Sequence, residues 1–303
     1  MVKTSGSNCG PTGIVHGDCI SELKKIDDEI FDLVIADPPY FRIVIEKWDR
    51  QWRTEAEYIE WCKKWLKEVY RTMRYGGTFY LFGYFRNLAP LVPPLLEMGF
   101  EVRQQIVIDK GIKAVAGRAT KKYKIFPNVT ESVLFLTKKN ILFSRGFLKD
   151  RQKKSGLTAK QINEKLGVKS NGGGMWSIYT GNNICEQFPT EELWNKLQKI
   201  LDFDLPYNKI AQTLYPEMGI TDVWTDIDFY EEKRYHPTQK PLKLIKRLIE
   251  ASSNKGDYIL DPFAGSGSTY VAGTELGRNV LTIEMDEKYI EAIKQRIAQQ
   301  KLF

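Results

Sequence analysis

Phe31-Asp32-Leu33-Val34-Ile35-Ala36-Asp37-Pro38-Pro39-Tyr40-Phe41 is an apolar run that stops abruptly at a carboxylate, two prolines and an aromatic ring. Leu33 to Ala36 are apolar without alternation, as expected of a strand buried on both faces in a parallel sheet. Ligands of such sheets sit beyond the carboxyl ends of the strands, so Asp37 to Tyr40 stand where chemistry is usually done. The residue types suit an exocyclic amine of a nucleobase, a poor nucleophile because its lone pair is delocalised into the ring. The Asp37 carboxylate and the Pro38 carbonyl can both accept hydrogen bonds from such an NH2 and stabilise the positive charge that grows as the nitrogen attacks carbon. Pro38 and Pro39 keep the turn rigid and offer no competing N–H, and Tyr40 supplies a flat face for an extruded base.

Upstream, Val15 to Ile20 read as a short strand ending in Gly17-Asp18, with Asp18 at a second strand end, followed by a helical stretch through Leu23. Downstream, residues 41–54 are polar and aromatic without clear period, a loop placed to close over a bound ligand. Apolar positions from Tyr58 through Cys62, Trp65, Leu66 and Val69 to Met73 follow helical spacing. Gly76-Gly77 is expected to end that helix, and Thr78–Phe82 to form a strand. Arg86–Met98 read as helical and interrupted by proline. Glu101–Asp109 and Ser132–Thr137 read as neighbouring antiparallel strands.

The chain has 303 residues, 42% of them hydrophobic, enough for one large α/β domain and an insert. No apolar run reaches the length of a membrane span, and the polar start, Met1 to Gly13, does not read as a signal peptide. Four scattered cysteines and two histidines argue against a zinc site or a disulfide framework and favour a reducing cytoplasm. The net charge is +7 but unevenly spread. Residues 110–154 hold thirteen Lys/Arg against two Asp/Glu, and residues 186–232 hold three against eleven. The first segment, interleaved with Tyr123, Phe126, Phe143 and Phe147, suits a polyanion, with Lys121, Lys122 and Lys124 as candidate phosphate contacts. Residues 157–168 have a weak helix-turn-helix flavour, Gly172 to Gly174 form a break, and Thr190–Leu201 read as a helix. Periodicity fades over 140–232, which is therefore assigned to an insert.

The tail returns to α/β pattern. His236-Pro237-Thr238-Gln239-Lys240-Pro241 precedes an amphipathic helix. Tyr258–Asp261 is a strand running into Pro262-Phe263-Ala264-Gly265-Ser266-Gly267-Ser268-Thr269 and a helix, and Asn279–Glu284 is the next strand. Strand, glycine turn, helix, strand and acid make a nucleoside-binding unit. Its glycines admit a ligand to the backbone, and Glu284, 23 residues past Asp261, is placed for ribose hydroxyls. Tyr270 stands where a third glycine would complete a dinucleotide fingerprint, and no lysine precedes Ser268-Thr269 as a phosphate loop requires. A nucleoside with a carboxylate and no pyrophosphate fits better, and S-adenosylmethionine is such a molecule.

With Gly17-Asp18-Cys19-Ile20, Asp37-Pro38-Pro39-Tyr40, His236 to Pro241 and Asp261 to Ser268 in this order, the chain resembles the DNA amino-methyltransferases, in the group whose catalytic motif is N-terminal and cofactor motif C-terminal. The resemblance covers about 15–137 and 233–300. It implies a Rossmann-like methyltransferase fold, a doubly wound, mostly parallel sheet in permuted order. The expected parts are a catalytic half at 1–139, a target-recognition insert at 140–232 and a cofactor half at 233–303. It implies that Asp37, Pro38, Pro39 and Tyr40 hold and activate a flipped base, and that Asp261 and Phe263 to Thr269 line S-adenosylmethionine with Glu284 on its ribose. Asp18 and Cys19 would meet the adenine of the cofactor, and His236, Thr238 and Lys240 its methionine carboxylate, with Lys240 the charge partner. Within the family an Asp at position 37 leans toward adenine N6 and a Ser toward cytosine N4. The implied partners are double-stranded DNA, a second copy of the chain and a restriction endonuclease acting on the same site. The rival readings are a cytosine-N4, RNA or protein-amide methyltransferase, a nicotinamide dehydrogenase, and a non-catalytic DNA-binding regulator.

Overall fold

The structure, a computed structural model, describes residues 10–41, 47–115, 126–168, 174–181, 185–233, 235–236 and 238–300. Lys121, Lys122, Lys124, Tyr123, Pro237, the Gly172-Gly173 break and residues 42–46 of the loop after the Asp37 turn lie outside this range. In chain order the elements are β1 (Gly13–His16), α1 (Cys19–Leu23), β2 (Phe31–Ala36), α2 (Glu55–Thr72), β3 (Met73–Gly83), α3 (Phe85–Leu88), α4 (Val92–Met98), β4 (Phe100–Asp109) and β5 (Thr130–Lys138). Then follow α5 (Asn140–Ser155), α6 (Ala159–Leu166), α7 (Gly174–Thr180), α8 (Glu191–Leu201), β6 (Val223–Trp224), α9 (Leu242–Ser252), β7 (Tyr258–Asp261), α10 (Ser268–Glu275), β8 (Asn279–Glu284) and α11 (Glu287–Gln300).

The strands form one sheet of eight in the order β1-β8-β7-β2-β3-β5-β4-β6. Among the described residues β5 alone runs against the others, pairing antiparallel with both β3 and β4. The central strand β2 is covered on both faces. Val34 and Ala36 pack with Trp65 and Val69 of α2, while Leu33 and Ile35 pack with Leu244, Ile245 and Leu248 of α9. That is why its sequence shows no alternation. The buried stripe of α2 contains Tyr58, Cys62, Trp65, Leu66 and Val69, at the expected spacing. Its start is fixed by Thr54, whose hydroxyl accepts from the Glu57 N–H at 3.2 Å.

Gly76 and Gly77 do not end α2, contrary to the expectation. The helix stops at Thr72 and the glycines lie inside β3. They form an irregularity in the pairing with β2, where Phe31 faces Met73 but Leu33 faces Thr78. Gly76 has φ +75°, and a Cβ on Gly77 would lie 2.9 Å from the Arg74 carbonyl oxygen. Only glycine fits that close backbone approach.

The chain divides into two compact units, Met1–Lys138 with Thr213–Phe303, and Lys139–Gln212. The second is a small helical unit with its own core, in which Leu148, Ile162, Trp176, Trp194 and Leu201 are buried. Phe143 and Phe147 belong to this core, stacked with ring centroids 5.4 Å apart, and so are packing residues first. The sequence placed the insert at 140–232, but residues 213–232 belong with the sheet. Trp224, Ile227 and Phe229 bury their side chains against the α9 face, and β6 extends the sheet from β4. Those three scattered apolar residues lack a helical or strand period, so the sequence pattern did not show where they pack. Among the described residues no helix is long and apolar enough to cross a membrane.

Three central strands are tied by one mostly buried ion pair. Arg74 of β3 donates through Nε to Asp32 Oδ1 of β2, and Asp32 Oδ2 accepts the Tyr258 N–H of β7 at 2.8 Å. Arg74→Met should strand the Asp32 carboxylate and cost about 3–5 kcal/mol of stability. Denaturant unfolding measures this, and a loss below about 1 kcal/mol would show that water or another donor compensates Asp32.

Candidate active site

Four acids stand at or just past the carboxyl ends of four adjacent strands: Asp18 after β1, Glu284 at the end of β8, Asp261 at the end of β7 and Asp37 after β2. The pairing of His16 with Glu284 and of Val34 with Leu260 sets them side by side. They open on one cavity of about 720 Å³, within the range of small-molecule sites. Asp18, Cys19, Asp37, Pro38, Pro39, Tyr40, His236, Thr238, Lys240, Asp261, Phe263, Ala264, Gly265, Ser266, Ser268, Thr269 and Glu284 all line it. Residues more than 200 positions apart in the chain thus share one chamber.

Gly267 is the exception and stands behind the wall. It is left-handed at φ +75°, and a Cβ there would lie 2.8 Å from the Ile293 side chain of α11. Gly265, also left-handed at φ +50°, has its Cβ position 3.7 Å from the His236 ring. Both glycines are therefore demanded by backbone conformation. The turn is held from three sides. Glu284 Oε2 accepts the Gly265 N–H at 2.8 Å and its Oε1 the Asp286 N–H at 2.9 Å. Asp261 Oδ1 accepts the Phe263 N–H at 3.0 Å. Arg296 of α11 donates to the Ser266 carbonyl at 3.2 Å. Phe263 is edge-on to Trp65, centroids 5.0 Å apart.

The Asp37 turn is pinned in a similar way. Tyr58 Oη donates to the Pro39 carbonyl at 2.8 Å, and Asn87 Nδ2 to the Tyr40 carbonyl at 2.9 Å. Tyr40 is buried, its ring edge-on to Tyr84, and its hydroxyl is engaged with Asp37 Oδ1 and with Glu131 Oε1, the latter at 2.8 Å. Lys240 Nζ lies 2.6 Å from Asp37 Oδ2 and 2.9 Å from Glu131 Oε1. The Lys240 ammonium therefore sits on the Asp37 turn and is already paired, whereas it was expected beside a ligand carboxylate. Lys110 completes the cluster 3.4 Å from Glu131 Oε2.

Burial disfavours charge on every member of this cluster. On Asp37 it prevails over Lys240, and the carboxyl is held above its ordinary range. On Glu131 it is outweighed by Lys240 and Lys110, which keep that carboxyl low. On Lys240 it is outweighed by Asp37 and Glu131, which hold the ammonium charged. Elsewhere in the cavity burial lowers His236 to about 4, leaving a neutral ring packed between Trp48 and Tyr289. It pushes the Cys19 thiol well up, as does the adjacent Asp18. Asp18 itself caps α1, accepting the Ser21 N–H at 2.9 Å.

Trp48 lines the cavity from the loop 41–54 expected beside the Asp37 turn, whereas sequence reasoning missed Glu131, Tyr289 and Arg296. Glu131 carried a signal, a carboxylate two residues before the apolar run Val133 to Leu136 that must find partners when buried. The other two, on the tail helix α11, carried none.

Residues 31–295 match the family model described as DNA methylase. Type II methyltransferase M.HinfI of Haemophilus influenzae is 27% identical over 95% of this chain and 68% of its own. DNA adenine methyltransferase YhdJ of Escherichia coli (strain K12) is 29% identical over 92% of this chain and 80% of its own. In fold the chain is similar to PvuII DNA methyltransferase (cytosine-N4-specific), at TM-score 0.59 and 15% identity over 94% of this chain and 85% of that one. It is also similar to the M1.HpyAVI–SAM complex, at TM-score 0.54 and 20% identity over 93% and 98%.

Burial raises Asp261 from 3.8 to about 7. Between those values the native state keeps a proton that the unfolded chain has released, so stability falls as pH rises through that window. Asp261→Asn keeps the acceptor for the Phe263 N–H and removes the titration. The melting temperature of the variant relative to wild type, without added ligand, should therefore climb between pH 4 and about 7 and level off above. A difference independent of pH would contradict the assignment.

Proposed function

We infer what the chain does from one premise: it belongs to the DNA methylase family. The proposed reaction is methylation of the exocyclic amine of a base flipped out of duplex DNA, with adenine N6 as the target and S-adenosylmethionine as the cofactor. The observation that carries it is the position of Asp37 in the wall of the chamber that also contains the glycine turn after β7.

The residues fit that cofactor. The chamber volume suits a nucleoside with a short zwitterionic arm. Gly265 presents backbone without a side chain, and Glu284 holds the turn and faces the chamber. The His236 ring, uncharged near neutral pH, adds a flat apolar wall. When bound, S-adenosylmethionine supplies an electrophilic methyl group on a sulfonium. Asp37, with the carbonyl of Pro38 next to it, accepts hydrogen bonds from the target NH2 and draws the lone pair out of the ring. Positive charge growing on the nitrogen meets the Asp37 carboxylate. Burial raises the proton affinity of that carboxyl, which suits it to take up the proton that the amine loses. Adenine is favoured over cytosine by the aspartate at position 37 and by the name of one relative, DNA adenine methyltransferase YhdJ.

Three further parts belong to the same proposal. The helical unit 139–212 reads the target sequence. The protein works in the cytoplasm, as a homodimer and beside an endonuclease that cuts the same site. Phosphate contacts come from the basic segment 110–154, but not from all of it. Lys110 is paired with Glu131, Lys138 donates to the Met73 carbonyl, and Arg145 and Lys154 are paired with Glu186 and Asp150. This shifts the weight to Lys121, Lys122 and Lys124.

Asp37→Ala should bind the cofactor about as tightly as wild type and lose on the order of 10²–10³ in the rate of tritiated methyl transfer to duplex DNA. Transfer near the wild-type rate would remove Asp37 from the chemistry. Neutralising Lys121, Lys122 and Lys124 together should flatten the salt dependence of DNA affinity, each lost contact reducing the slope of log K by about 0.9. An unchanged slope would place the phosphates elsewhere.

A further inference from the structure

Glu131 has no place in the reaction as set out above, and it stands outside the chamber wall with 4% of its surface exposed. Yet both donors that occupy Asp37 also touch it. Lys240 Nζ is 2.6 Å from Asp37 Oδ2 and 2.9 Å from Glu131 Oε1, and the Tyr40 hydroxyl is within hydrogen-bond reach of both carboxylates. Both Asp37 oxygens are therefore engaged before any target amine arrives. For the amine to bond to Asp37, Lys240 and Tyr40 must give way, and a buried ammonium that gives way without another acceptor is strongly disfavoured.

We propose that Glu131 is a positioning residue for methyl transfer: it retains the Lys240 ammonium and the Tyr40 hydroxyl while the target amine takes their place on Asp37. Lys110, 3.4 Å away on the far oxygen of Glu131, keeps Glu131 ionised for this task. The exchange needs no net movement of charge, because each donor shifts its weight between two acceptors that it already touches. This proposal rests on Asp37 being the group that receives the amine.

The charged and titratable groups around the pair come from several elements. Asp37 faces Lys240 before α9, Glu131 of β5, Tyr40 of its own turn, Tyr58 of α2 and Asp261 of β7. Glu131 faces Lys240, Tyr40 and Lys110, and the Lys110 ammonium reaches Tyr84 Oη at 3.3 Å. Negative charge on Glu131 raises Asp37, and its loss should lower Asp37 while binding Lys240 more firmly to it.

The test is the single-turnover rate of methyl transfer to saturating DNA as a function of pH, with cofactor affinity measured in parallel. Glu131→Gln keeps the shape and an acceptor oxygen. It should slow transfer about tenfold or more and move the acid limb of the profile down by about one pH unit, with cofactor affinity unchanged. Lys110→Met leaves Glu131 without a cation that keeps it ionised, weakens the same negative charge beside Asp37 and should move the limb in the same direction by a smaller step. Parallel downward shifts are not expected of a purely structural pair, whose loss would lower the rate without moving the limb. If Glu131→Gln fails to fold, the direction of the Lys110→Met shift decides alone. A wild type that transfers methyl while neither variant shifts its limb would overturn the proposal and leave the functional reading intact. A wild type that transfers no methyl would overturn that reading and the proposal with it.

Discussion

The Lys240 ammonium, buried between Asp37 and Glu131, is the contact on which the arrangement of the site depends. It joins a segment just before α9 to a turn 203 residues earlier and to the antiparallel strand β5. A lone buried ammonium or a lone buried carboxylate would be untenable, so these groups are stable only as a set, with Lys110 as second cation. The set has no net charge when all four are ionised. It also fixes the direction of the Asp37 carboxylate, because each of its oxygens has a donor. The proposed acceptor of an amine hydrogen bond is thereby held in a fixed direction before any ligand arrives.

The sheet order explains how two distant motifs become neighbours. Strand β7 inserts between β8 and β2, so the glycine turn after β7 and the proline turn after β2 emerge side by side at the same edge. Each turn is held by donors and acceptors from outside its own strand: Glu284 and Arg296 for the first, Tyr58 and Asn87 for the second. The glycine turn is also bonded to β8, the Ala264 N–H donating to the Ile283 carbonyl at 2.9 Å.

The fold was legible wherever burial imposes a period or abolishes one. The unalternating Leu33 to Ala36, the stripe of α2 and the strand–glycine–helix–strand unit of the tail each have a single reading in terms of faces covered. The DNA methylase family followed from four motifs in order. Gly76-Gly77 was read as a helix end because a double glycine is a helix stop and a strand irregularity alike, and only the approach of the Arg74 carbonyl tells them apart. The span 213–232 reads as insert in the sequence because Trp224 lies in a strand of only two residues and Ile227 and Phe229 pack from irregular chain. In the site, motif residues were legible because their neighbours in sequence are also their neighbours in space. Glu131 and Trp48 reach the same cluster and cavity from elements that carry no motif, and the place of Lys240 depends on Glu131. Its pairing could not be read without that partner.

The central claim is that the chamber beyond β2 and β7 delivers a methyl group to an adenine amine in DNA. It is tested most directly by incubating the wild-type protein with duplex DNA and S-adenosylmethionine carrying a deuterated methyl, digesting the DNA to nucleosides and locating the label by mass spectrometry. The account predicts label on N6 of deoxyadenosine, appearing more slowly by about a hundredfold or more when Asp37 is replaced by alanine. Label on deoxycytidine N4 would contradict the choice of base, and DNA without label would contradict the account itself.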